Sequence, residues 1–304
     1  MASRSNLITY RGNCHCKAHV YTIRVSEITR ADECDCSVCY KKAALWVFPQ
    51  SADLTWARGG PDTLTNYTFG RKRFNHKFCP TCGISLMILG HLHPPKAGEH
   101  KEPEVGMNVR TLQHGQGIDT FTLERNPFDG RSLPPAYAPP EFTDTLPTAD
   151  VEKDKLYTGS CHCGAVRVAL KSKSLDQLDS DAVPDALVEC NCSFCGRTGA
   201  MWTYPKHEQV AVQGRENLAS YQGVGRGFWS KSFCRTCGVH VLNELMPLTE
   251  EQLAGLSPET RAWTWGGKAF FPINLRVMNG VDVRELKTIK ADGYGKIRPK
   301  YEEP

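Results

Sequence analysis

Tyr10-Arg-Gly-Asn-Cys14-His-Cys16 returns in the second half of the chain as Tyr157-Thr-Gly-Ser-Cys161-His-Cys163, and this repetition decides the fold. Working outward, Cys34-Asp-Cys36-Ser-Val-Cys39 returns as Cys190-Asn-Cys192-Ser-Phe-Cys195. Phe78-Cys79-Pro-Thr-Cys82-Gly83 returns as Phe233-Cys234-Arg-Thr-Cys237-Gly238. The tails match as well, Asn108-Val-Arg110-Thr-Leu112 against Asn274-Leu-Arg276-Val-Met278. Four paired motifs in one order make the chain a tandem duplication. Pro134-Pro-Ala-Tyr-Ala-Pro-Pro140 and the acidic, polar run to Lys155 separate the copies, and proline, which lacks a donor and favours extended backbone, makes this a linker. The expected organisation is a first domain over 6–140, a linker over 141–154 and a second domain over 155–300. Each copy carries an insertion before its tail, His91 to Val105 and Leu245 to Gly267, the latter with a short helix expected around Thr249–Gly255.

The segments between the cysteines read as β-structure. Ala18–Val25 and Ala165–Leu170 alternate with a period near two and favour β-branched residues. Trp46-Val-Phe48 and Met201-Trp-Thr-Tyr204 are short aromatic strands that end at a proline. No long 3.6-residue stripe appears, so helices are expected only in the insertions. The fold class is mainly β, in two small domains built around metal.

At 304 residues, with 40% hydrophobic and 23% charged residues, the chain has the balance of a soluble globular protein. Met1–Leu7 has no apolar core of a signal peptide, and no stretch approaches a membrane span, so the expected location is the cytoplasm. In that reducing compartment 14 cysteines point to metal rather than to disulfides. The formal charge is +4, but fourteen thiolates facing the eight positive charges of four zinc ions would leave the loaded chain slightly negative. Net charge and the lack of a long Lys/Arg block therefore argue against a nucleic-acid partner.

Within each copy the order is Cys-x-Cys, Cys-x-Cys-x-x-Cys, Cys-x-x-Cys. Zinc takes four ligands in a tetrahedron, and the outer pairs supply them: Cys14, Cys16, Cys79 and Cys82 in the first copy, Cys161, Cys163, Cys234 and Cys237 in the second. The middle triplets, Cys34/Cys36/Cys39 and Cys190/Cys192/Cys195, leave one coordination position for a ligand or substrate, which gives four zinc ions per chain and two per domain. His76 is the candidate fourth ligand in the first copy, yet its counterpart is Lys231, which argues against a shared role.

These motifs resemble the glutathione-dependent formaldehyde-activating family, which also includes the centromere protein V group. The resemblance spans nearly the whole chain, once per half. It implies an Mss4-like β fold with a structural four-cysteine zinc and a catalytic three-cysteine zinc. It also implies a carbon–sulfur lyase or synthase that joins formaldehyde to glutathione as S-(hydroxymethyl)glutathione, with a small-molecule thiol as partner. Two rivals stay open: a lyase of specialised metabolism on a larger sulfur-containing substrate, and a non-catalytic zinc module for interactions.

Three thiolates make zinc a weak activator of water but a suitable site for a thiol, which coordination deprotonates beside an electrophile. Tyr67 and Arg71, and equivalently Tyr221 and Arg226, precede the last knuckle, where a basic group can hold a carboxylate of glutathione or serve as a solvated loop charge. His15 and His162 sit between two ligands, and strand alternation turns them away from the metal. Gly223-Val-Gly225-Arg-Gly227 lacks the strand–turn–helix context of a phosphate loop. Trp46 and Trp202 read as core residues; Asn108/Arg110 and Asn274/Arg276 fit either a site wall or strands that the fold needs. Gly196-Arg-Thr-Gly-Ala200 has two glycines where Tyr40-Lys-Lys-Ala-Ala44 has none, which favours the second triplet, Cys190/Cys192/Cys195, as the catalytic one.

Overall fold

The computed structural model describes residues 6–90, 104–152, 154–178, 186–223, 228–256, 258, 261 and 267–304. It divides into two compact units: residues 1–138 with Ser193–Gly199 and Tyr301–Pro304, and Pro139–Cys192 with Ala200–Lys300.

In the first unit β1 (Ile8–Asn13) and β2 (Val20–Val25) form an antiparallel hairpin, and β5 (Leu54–Arg58) pairs with the other edge of β2. A seven-stranded sheet runs in the order β10 (Glu124–Phe128), β3 (Arg30–Cys34), β4 (Trp46–Val47), β9 (Val105–Asn108), β8 (Ser85–Gly90), β7 (Phe74–Phe78), β6 (Thr65–Tyr67). Its edge pair β10–β3 is parallel. The apolar runs supply the core: Ile23, Leu45, Leu86 and Met107 are almost wholly buried. Each such side chain contributes about 1.5–3 kcal/mol by leaving water.

The second unit repeats this plan. β11 (Lys155–Ser160), β12 (Arg167–Ser172) and β15 (Val210–Gln213) form the small sheet. The large one runs β16 (Leu218–Gln222), β17 (Trp229–Cys234), β18 (His240–Leu245), β19 (Ile273–Asn274), β14 (Met201–Thr203), β13 (Leu187–Cys190), β20 (Ile289–Ala291). Its β13–β20 edge is again parallel. The fold is therefore mainly β, in tandem. The expected insertion helix is present as Glu250–Ala254, capped by Thr249, whose hydroxyl accepts from Gln252 N at 3.1 Å. Of the first insertion, residues 91–103 lie outside the described residues.

Helices are not confined to the insertions. α1 (Ser37–Lys42) and α2 (Ser193–Thr198) wind immediately after the second ligand of each triplet. At six residues they are too short to show a stripe, and their cause is local: a Cys-x-x-Cys spacing brings two sulfurs to one side when wound into a turn.

The segment 193–199 is held inside the first unit by buried polar contacts. Arg197, its side chain 1% exposed, donates to Asn13 O at 3.0 Å, Ser193 O at 2.8 Å and Glu303 Oε2 at 2.6 Å. Burial opposes ionisation of Glu303, but hydrogen bonds from His114 and the adjacent Arg197 charge outweigh it and hold the carboxyl at about 2. Tyr301 donates its hydroxyl to His15 O at 2.8 Å and stacks on the His15 ring at 4.6 Å.

Candidate metal centres

All fourteen cysteines are free thiols, gathered into four clusters whose sulfurs lie within 4.8 Å of one another: Cys14/Cys16/Cys79/Cys82, Cys161/Cys163/Cys234/Cys237, Cys34/Cys36/Cys39 and Cys190/Cys192/Cys195. The spacing thus pairs the cysteines as the sequence order suggests.

Two knuckles form each four-thiol cluster. Between β1 and β2, Cys14 N donates to His19 O at 3.1 Å, and between β11 and β12, Cys161 N donates to Val166 O at 2.8 Å. His19 N and Val166 N each donate to the first sulfur at 3.3 Å. The second knuckle follows β7 or β17, where a register shift in the pairing just precedes the ligand. Gly83 N donates to Cys79 O and Gly238 N to Cys234 O, both at 2.9 Å. Their φ of +70° and +73° is the left-handed conformation that closes the turn and explains a glycine after the last ligand. Sulfur separations of 3.5 Å for Cys14–Cys16 and Cys16–Cys79, 3.6 Å for Cys161–Cys163 and 3.5 Å for Cys163–Cys234 are far too long for a disulfide. They approach the roughly 3.8 Å edge of a tetrahedron with 2.3 Å zinc–sulfur bonds. The four-thiol clusters fit zinc.

The triplets are built by a strand and a helix: Cys34 ends β3 and Cys39 lies in α1, Cys190 ends β13 and Cys195 lies in α2. Cys36 N donates to Cys34 Sγ and Cys192 N to Cys190 Sγ, each at 3.4 Å. Among the described residues no other Cys, and no His, Asp or Glu, joins either triplet. His76 is buried on β7 beside Phe69, with ring centroids 5.5 Å apart, and lies outside the cluster. His15 and His162 are buried and outside every cluster too.

Within the sulfurs of the first triplet, Cys36 is pushed down to about 4, first by its hydrogen bond with Cys34 and then by Cys39. The same contacts keep the proton on its neighbours: Cys34 rises to about 11 and Cys39 rises well above the ordinary thiol value. In the four-thiol clusters Cys79 is lowered by Cys14 while Cys14 is raised by Cys16 and Cys79, and Cys234 is lowered by Cys161. A cluster of thiols sharing too few charges is what a dication completes.

Around the first triplet lie Val38, Ala44, Trp46 and Ile88, with Tyr67, Phe69 and Phe74 packed against them. Trp46 is core, as read from sequence, but it also donates its indole N–H to Cys39 Sγ at 3.4 Å. Asn108 and Asn274 are fold residues. Each side-chain oxygen accepts from two backbone N–H groups, Leu45 and Arg110 or Met201 and Arg276, and each amide donates to Ser85 O or His240 O. Arg110 donates from Nε to Ala43 O at 2.6 Å.

Tyr67 stands beside the first triplet, Tyr221 is buried on β16, and Arg71 is exposed on the β6–β7 turn. Arg226, with residues 224–227 of the Gly-rich stretch, lies outside the described residues. The rows across the sheet distinguish the copies: Tyr67 pairs with His76 and His76 with Ile88, whereas Tyr221 pairs with Lys231 and Lys231 with Asn243. Lys231 Nζ lies 5.7 Å from the Trp202 ring and 5.9 Å from that of Trp229, and hydrogen-bonds to Asn243 Oδ1. The sequence shows the His/Lys exchange but not its neighbours, which register alone aligns.

At Gly199 the two helix ends do not differ in backbone conformation. Ala43 adopts the same left-handed conformation (φ +47°) as Gly199 (φ +57°), so both helices end alike. A Cβ on Gly199 would meet Ala43 Cβ at 2.4 Å and Arg110 Nε at 2.7 Å. Packing within the first unit leaves no room for a side chain at Gly199.

A tandem β fold with a four-thiol and a three-thiol cluster in each repeat defines a protein built on clustered thiols that suit a soft metal ion. The model of the family described as glutathione-dependent formaldehyde-activating enzyme matches residues 9–102 and again 156–257, and the chain belongs to that family. A crystal structure of a Rhodobacter sphaeroides protein, a structural-genomics target, is similar at 26% identity over 44% of this chain and 98% of that one, with a TM-score of 0.31. Among the described residues no helix is long and apolar enough to cross a membrane.

Proposed function

We propose that the chain is a zinc-dependent carbon–sulfur lyase or synthase acting on an adduct of an aldehyde with glutathione or a related thiol. The observation that carries this reading is the pair of three-sulfur clusters, to which no other described Cys, His, Asp or Glu contributes. In this reading the chain holds four zinc ions, with functional domains following the repeat at 6–140 and 155–300, in the reducing cytoplasm. Zinc at such a triplet supplies a soft position that favours the thiolate form of an incoming thiol. In the synthetic direction the thiolate sulfur attacks the aldehyde carbon, the carbon–sulfur bond forms, and the former carbonyl oxygen takes up the proton that the thiol lost. The reverse direction releases aldehyde and thiol.

Cys190, Cys192 and Cys195 remain the catalytic set, now because a cation stands in their copy's sheet row. Lys231, aligned with Tyr221 and Asn243, suits a thiol that carries a carboxylate. Tyr221 is the proposed substrate contact of that copy, and Tyr67 and Arg71 those of the first, where His76 and Ile88 make the row less polar. The test follows formation and loss of S-hydroxymethyl and larger thiol adducts by mass spectrometry with zinc-loaded protein. Cys192→Ser should abolish turnover and Cys36→Ser should leave much of it. Wild-type rates equal to the uncatalysed ones across such adducts would refute the enzymatic reading.

A further inference from the structure

Each triplet has a wall that lies outside the segments matched by the family. Residues 128–131 read Phe-Asp-Gly-Arg and residues 291–294 read Ala-Asp-Gly-Tyr, beyond 9–102 and 156–257. Both turns follow the parallel edge strand, where Phe128 pairs with Cys34 and Ala291 with Cys190. The residue between the first two ligands grips the turn at two points. Asp35 N donates to Phe128 O at 3.1 Å, and Asp35 Oδ1 accepts from Arg131 N at 2.9 Å. Asn191 N donates to Ala291 O at 3.1 Å, and Asn191 Oδ1 accepts from Tyr294 N at 2.8 Å. Asp129 and Asp292 brace the turns from within, accepting from Ser132 N at 3.1 Å and Gly295 N at 2.9 Å.

These clamps press the glycine backbone onto the sulfurs. A Cβ on Gly130 would lie 2.4 Å from Cys34 Sγ and 2.9 Å from Cys36 Cβ. On Gly293 it would lie 2.5 Å from Cys190 Sγ and 2.7 Å from Cys192 Cβ. Neither glycine has a left-handed φ, so space and not conformation excludes every other residue. The flanking residues differ between the copies, yet the Asp-Gly pair and its contact with the triplet are the same.

We propose that Gly130 and Gly293, clamped by Asp35 and Asn191, are positioning residues that seal one face of each triplet zinc site. The turn backbone shields the Cys34/Cys36 and Cys190/Cys192 thiolates from protons and competing chelators. An incoming thiol is thereby left the faces away from the turn. The inference rests on the triplets being zinc sites, and zinc stoichiometry tests that premise separately.

The experiment uses the full zinc-loaded chain with Gly130→Ala, Gly293→Ala, Asp35→Ala and Asn191→Ala, and Gly60→Ala as control because nothing lies within 4 Å of its Cβ position. Zinc per chain is measured by elemental analysis and release by a chromophoric chelator, and cobalt substitution distinguishes three-thiolate from four-thiolate sites by absorption. Gly293→Ala should lose the second triplet's zinc or release it about 10–100-fold faster, the range typical of lost outer-shell support. Gly130→Ala should do the same at the first triplet, and the four-thiolate cobalt spectrum should persist in both. Asn191→Ala and Asp35→Ala, which loosen the clamp without adding bulk, should accelerate release several-fold; they carry the test if the alanine variants misfold. Wild-type release rates in Asn191→Ala and Gly293→Ala, or equal loss from four-thiolate sites, would overturn the proposal. Wild-type protein holding only about two zinc ions would remove the premise before any variant is compared.

Discussion

Trp46→Phe should weaken zinc binding at the first triplet while leaving the first four-thiol site intact. The indole N–H lies 3.4 Å from Cys39 Sγ, and Trp46 is only 3% exposed, so water cannot replace the lost donor without opening the core. A hydrogen bond to a charged acceptor is worth about 1.5–3 kcal/mol. Since about 1.4 kcal/mol is a factor of ten, the zinc dissociation constant at this triplet should rise about 10–100-fold, in line with outer-shell changes generally. The smaller phenyl ring also leaves a cavity, which lowers global stability but does not distinguish one metal site from another. The assay is therefore competitive: zinc is partitioned between the protein and a chelator of known affinity, and cobalt spectra report which site empties. An affinity within twofold of wild type at the triplet, or an equal weakening at Cys14/Cys16/Cys79/Cys82, would refute the claim that this hydrogen bond supports the metal.

Elemental analysis of purified protein should find close to four zinc ions per chain; about two, with triplet thiols oxidised in pairs, would refute open triplet sites. Cys234→Ser should unfold the second unit, because binding worth about 10–16 kcal/mol at a structural zinc exceeds or matches the whole stability of a domain. Cys192→Ser should keep that unit's circular dichroism while ending turnover, and equal unfolding of both would make the triplet structural. Asn274→Ala removes partners of three buried backbone groups and should cost several kcal/mol by denaturant titration, at roughly 1–3 kcal/mol per unsatisfied group; a loss under about 1 kcal/mol would return Asn274 to the status of a replaceable strand residue. Glu303 has a carboxyl held at about 2, below its ordinary value, so its contribution is complete above about pH 4.5 and disappears as pH falls toward 2. The stability gap between wild type and Glu303→Gln should close over that range, and a gap independent of pH would show that the charge is not what Arg197 and His114 hold.

By itself the sequence determined the duplication through its paired motifs, the grouping of fourteen thiols into four clusters through their spacing, and the mainly β character through the period-two segments between them. Ligand spacing is written locally, and a short-range turn such as Cys79–Gly83 is closed by residues within the motif itself. The short helices α1 and α2 escaped that reading because six residues carry too little periodicity. That Ala43 and Gly199 share the left-handed conformation was not legible either, because alanine seldom adopts it. What only the tertiary structure decided is which groups stand against the sulfurs, Trp46 on Cys39, Gly130 on Cys34 and Gly293 on Cys190, and which residue shares a row with Tyr67 or Tyr221, His76 or Lys231. Apart from Trp46 and Cys39, seven residues apart, these contacts are made across sheet edges and strand registers, and a register is the collective result of packing, so no short window of sequence around either partner contains it.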